Sequence, residues 1–76
     1  MNISRSSRYP GEYSRPEVDI SAEQFTSDIA AAYAAGEDVE WSNVEDTNYV
    51  GDETIFYTVV VTHDEGYTTY NWEESL

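Results

Sequence analysis

Carboxylates are the main chemical resource of this chain. Five pairs stand side by side: Glu37-Asp38 with Glu40 close by, Glu45-Asp46, Asp52-Glu53, Asp64-Glu65 and Glu73-Glu74. Two carboxylates can divide acid and base roles across a glycosidic bond, and clustered oxygen ligands can hold calcium. Neither chemistry finds its remaining parts. Asp46-x-Asn48-x-Val50-Gly51 has the opening of a calcium loop, but Val50 and Tyr57 occupy positions where a ligand is required. His63 is the only histidine, cysteine is absent, and no glycine-rich phosphate loop is present. A body of 8.6 kDa leaves little depth for a catalytic pocket. The expectation is a chain that is not an enzyme and uses no cofactor or metal.

What is missing among the charges is as informative as what is present. The basic residues are Arg5, Arg8 and Arg15, with no lysine, and the net charge is −13. Of the 16 acidic residues only Glu12 precedes Pro16, so fifteen carboxylates follow it, faced by no Arg or Lys and by His63 alone. Self-repulsion of this size destabilises a compact state. Glu37 and Asp38 follow an expected helix C-terminus, where the macrodipole favours cations. Loop solvation accounts for any one doublet but not for the missing cations. The charge is therefore read as functional, with Glu37, Asp38, Glu40, Glu45, Asp46, Asp52, Glu53, Asp64 and Glu65 expected to contact a basic protein partner.

The elements that must carry these residues follow from periodicity. Residues 1–18 read as an irregular arm, with Pro10, Gly11, Pro16 and frequent Ser. A single acidic domain over 19–76 follows. Ser21 and Gln24 form a capping box, Ile20 and Phe25 a hydrophobic staple, and Phe25, Ile29 and Tyr33 one apolar stripe. The spacing predicts a helix over 21–35, ended by Gly36 in a left-handed conformation. The period then changes to two, giving strands over 39–44, 54–62 and 67–72 and a hairpin turn at 63–66. The expected fold class is α+β: one helix packed on a three-stranded antiparallel sheet, in the order α-β-β-β. Ile55, Tyr57, Val59 and Val61 are expected to face the helix. Tyr70 and Trp72 join them only if the hairpin loop has two or four residues. Tyr9, Tyr13, Tyr49 and Tyr67 are expected at the surface.

No apolar run approaches the ~20 residues that span a bilayer, and no apolar stretch follows the N-terminal arginines. A chain this acidic is repelled by anionic lipid and by nucleic acid. A cytoplasmic monomer is expected, with no direct nucleic-acid or membrane contact.

Duplex DNA carries one charge per ~1.7 Å of axis. Fifteen carboxylates over a body of roughly 29 Å diameter come to about one per 2 Å. In shortness, acidity, lack of lysine and layout, the chain resembles the phage-encoded DNA-mimic inhibitors of the anti-CRISPR and anti-restriction type. That resemblance covers composition and layout only, because these proteins share no motif that could be carried over. It implies a cytoplasmic inhibitor in the host cell that occludes the DNA-binding surface of a CRISPR effector or related nuclease complex. Two alternatives give similar surfaces: a halophile-type acidic domain of unrelated function, and an acidic antitoxin-like partner of a basic protein.

Overall fold

A computed structural model describes residues 2–8, 15–47, 53–64 and 66–75, with the backbone alone for Arg15, Pro16, Asp46 and Thr47. The helix α1 (Ala22–Ala34) begins where its sequence signals require. The Ser21 hydroxyl accepts the Gln24 amide at 3.1 Å. Only half of the capping box closes, because the Gln24 side chain turns away and donates to Asp28 Oδ1 at 2.7 Å. At the other end the Gly36 amide donates to Tyr33 O and the Glu37 amide to Ala32 O. These two bonds make a Schellman motif around Gly36, whose φ of 74° strains any residue with a Cβ.

The sheet has five strands, not the expected three. They are β1 (Ile3–Arg8), β2 (Arg15–Ile20), β3 (Asp38–Thr47), β4 (Glu53–His63) and β5 (Gly66–Ser75), in the spatial order β2-β1-β5-β4-β3. Every described pairing is antiparallel. The segment read as an irregular arm is thus a hairpin of the sheet, and β1 sits inside it between β2 and β5. The prolines had argued against this, yet Pro16 lies on an edge strand where a missing N–H costs little. The β1–β2 register also slips by one between Arg5↔Val18 and Ser7↔Arg15, leaving Pro16 and Glu17 both opposite Ser6, as in a bulge.

The β4–β5 turn decides which way β5 faces. His63 pairs with Gly66, a two-residue hairpin, so Tyr70 stands opposite Val59 and Trp72 opposite Tyr57. Both aromatics therefore share the helix-side face. The core is formed by Ile3, Ile29, Ala32, Val59, Val61 and Tyr70, with Ile20, Phe25, Val39 and Trp72 packed against it. Ile3, on the supposed arm, is only 1% exposed. Phe25 reaches from α1 into an aromatic nest, meeting Trp41, Tyr70 and Trp72 edge-on with centroids 6.0, 5.2 and 5.1 Å away. Tyr57 stacks on Trp72 at 5.2 Å. Such pairs add roughly 0.5–1.5 kcal/mol each beyond burial, so much of the aromatic content serves the core. Tyr67 is exposed as expected; Tyr9, Tyr13 and Tyr49 lie outside the described residues.

Candidate functional site

The single described helix, α1, packs on one face of the sheet, and the other face has no described element over it. Strand alternation assigns residues to this uncovered face. Asp38, Glu40, Ser42 and Val44 come from β3, Phe56, Thr58, Val60 and Thr62 from β4, and Tyr67, Thr69, Asn71 and Glu73 from β5. Ser4, Ser6 and Arg8 of β1 and Asp19 of β2 complete it. Phe56, Val44 and Tyr67 are large side chains left exposed here.

Of the nine residues expected at the partner contact, those described do not form one patch. Glu37, Asp38 and Asp64 stand at the end of the sheet that carries the β4–β5 turn, with Glu40 one step inward. Glu45, Asp46 and Glu53 stand at the far end. Asp38 and Glu45 are seven strand residues apart, about 24 Å. They also part by face, since Asp38 and Glu40 belong to the uncovered side whereas Glu45 faces the helix side opposite Ile55. Glu74 flanks Ile55 from its other neighbour, so two carboxylates share that row. Asp52, Glu65 and the Asp46 side chain lie outside the described residues. Among those described, Asp38, Glu40, Glu45, Glu53 and Asp64 are exposed and Glu37 is half-buried.

Asp28 does something other than add surface charge. Its Oδ2 accepts from Arg5 Nη1 at 2.7 Å and from the Tyr70 hydroxyl at 3.0 Å, while its Oδ1 takes the Gln24 amide. Burial pushes the carboxyl up, but the bonds from Arg5, Gln24 and Tyr70 and the Arg5 charge outweigh it and hold it below 3.8. Burial and the Asp28 charge push the Tyr70 hydroxyl up to about 12. One carboxylate thus joins α1, β1 and β5, and it uses one of the three arginines in doing so.

The expected contact set left out two carboxylates on the uncovered face, Asp19 and Glu73, although Glu73 stood among the acidic pairs. Together with Asn2, Ser4, Phe56, Thr58 and Asn71 they line an open concavity of about 440 Å³. Glu73 lies one residue past the expected strand end at 72, and β5 runs on to Ser75. Asp19 joins this face only through β1.

Among the described residues no three His, Asp or Glu side chains gather as metal ligands. No described helix is long and apolar enough to cross a membrane. The molecule extends 43 Å along its longest axis, so fifteen carboxylates come to about one per 2.9 Å, sparser than the compact-body figure but of the order of duplex DNA. No protein-family model, curated protein or solved structure matches the chain.

Proposed function

We propose that the chain is a non-catalytic, DNA-mimicking inhibitor that lays an acidic surface into the basic DNA-binding groove of a CRISPR effector or related nuclease complex. The observation that carries this reading is the fate of the charges. Arg5 is engaged by Asp28 in a part-buried ion pair, while Asp38, Glu40, Glu45, Glu53, Asp64, Glu73 and Glu74 stand exposed at the sheet ends and faces. Carboxylates so placed can take the positions of phosphates against Lys and Arg, with exposed Phe56, Val44 and Tyr67 supplying apolar contact. The edge strand β3 carries Asp38, Glu40 and Glu45, and a second copy pairing there would set carboxylate against carboxylate. That favours a monomer engaging a basic partner.

Competition tests the proposal. Purified RNA-guided nuclease complexes are incubated with labelled target duplex, then with the protein, across a salt series. The protein should displace duplex, lose potency as salt rises, and not bind duplex itself. Displacement from none of the complexes, or displacement indifferent to salt, sinks the reading.

A further inference from the structure

The concavity on the uncovered face has a composition of its own. Its lining runs across four neighbouring strands, because Asp19 pairs with Ser4, Ser4 with Asn71, and Asn71 with Thr58. The next row adds Phe56 opposite Glu73. At roughly 4.8 Å between strands and 3.4 Å per residue, the Asp19 and Glu73 Cα atoms lie about 12 Å apart within the lining. Two extended side chains can close on a planar group across that gap. Among the described residues, no Lys or Arg belongs to the lining.

The neutral groups between them include hydrogen-bond acceptors beside the Asn71 amide N–H donors. Thr58 Oγ1 donates its hydrogen to Asn71 Oδ1 at 3.0 Å, which leaves the hydroxyl oxygen with lone pairs only. Ser4 Oγ is buried and has no hydrogen-bond partner among the described residues. The Phe56 ring is exposed beside them. Two carboxylates, hydroxyl acceptors and an aromatic ring are what a guanidinium recognises, through its fork of five N–H donors and its flat face. An ammonium is a compact point charge and uses the ring and the spread of acceptors less well. The volume, about 440 Å³, falls in the range of small-ligand sites and has room for an arginine side chain with its flanking main chain.

We infer that this hollow, lined by Asp19, Glu73, Ser4, Asn71, Thr58 and Phe56, is a receptor for an arginine side chain presented by the basic partner. The inference rests on the reading of the chain as a binder of a basic protein surface and gives that surface an anchor point. It sits on the uncovered face, away from the doublets at 37–38 and 64–65.

The test is an amide-shift NMR titration of the full chain at low salt with N-acetyl-arginine methylamide. The neutral citrulline analogue and the lysine analogue run in parallel. Saturable shifts centred on Ser4, Asp19, Asn71 and Glu73 are expected with arginine, with binding at least tenfold weaker for citrulline and several-fold weaker for lysine. Asp19→Asn with Glu73→Gln should remove the saturable shifts, while Glu40→Gln, on the same face but outside the hollow, should leave them. Unchanged dispersion of the remaining amide signals shows that the double variant is folded. Shifts spread evenly over Asp38, Glu40 and Glu45, or equal binding of citrulline or lysine, overturn the inference. The outcome is separable from that of the duplex competition. A chain that displaces duplex but ignores arginine keeps the broader reading and loses this site, and the converse keeps the site and loses the nuclease target.

Discussion

Replacing Asp28 by Asn preserves shape and removes charge, and its effect can be worked out from three bonds. The carboxylate holds Arg5 and Tyr70 on one oxygen and Gln24 on the other. Charge-assisted bonds contribute roughly 1.5–3 kcal/mol when protected from solvent. The Arg5 and Asp28 side chains are 34% and 20% exposed, so screening reduces the ion pair well below that. The expected net loss is about 1–2 kcal/mol near neutral pH, a midpoint lower by roughly 4–8 °C per kcal/mol for a domain of this size. The pH dependence is specific. A carboxyl held below 3.8 in the folded state contributes stability above its unfolded value and loses it as pH falls through the folded one. Urea unfolding of wild type and Asp28→Asn should therefore differ fully at neutral pH and converge in acid, as pH falls through the lowered value of the folded-state carboxyl. Glu45→Gln is the control. It also removes one negative charge, but from an exposed position facing Glu74 across Ile55, and should leave stability unchanged or slightly higher. The reasoning fails if Asp28→Asn matches wild type at neutral pH, or if the gap persists unchanged in acid.

Other perturbations test other parts of the fold. Ile3→Ala should cost about 2–4 kcal/mol in urea unfolding, because a side chain only 1% exposed leaves a cavity under α1; a neutral result would mean that β1 is not part of the core. Tyr70→Phe should cost about 1 kcal/mol near neutral pH through loss of its bond to Asp28. Since the Tyr70 hydroxyl is raised from 10.0 to about 12, its contribution is present below pH 10 and fades as pH climbs toward 12, so wild type should lose stability there faster than Tyr70→Phe. Gly36→Ala should cost about 1–2 kcal/mol from backbone strain alone, as an added Cβ meets nothing within 4 Å while φ stays at 74°; thermal melting reads this directly.

The helix and the meander were legible because their signals are local. Ser21, Gly36 and the β-branched run at 54–62 each act on neighbours within a few residues. The β1–β2 hairpin was not legible, because Ile-Ser-Arg-Ser-Ser-Arg has one apolar residue and polar side chains on both faces. What makes it a strand is tertiary: Ile3 enters the core, Arg5 finds Asp28 on α1, and Ser7 Oγ meets Thr68 Oγ1 at 3.0 Å. The orientation of Tyr70 and Trp72 turned on the length of one hairpin loop, which composition alone left open. In the candidate site, Glu40 and Glu45 part by face only because β3 runs on to Thr47, past the expected strand end at residue 44. The hollow between Asp19 and Glu73 needed the position of β1, and no local pattern encodes a pairing between opposite ends of a chain.

That pairing also has a consequence in time. Ser7 and Thr68 are 61 residues apart in sequence, and the β1–β2 hairpin joins the rest of the sheet through the pairing of β1 with β5. Helix α1 and the β4–β5 hairpin can form in microseconds from local contacts, but the sheet is complete only when its two most distant segments meet, a loop closure that slows folding. The arriving strand is also the one that carries Arg5 and Arg8 toward an acidic body. Added salt then acts in two opposed ways: it relieves repulsion among the carboxylates, and it weakens the attraction that brings the last strand home.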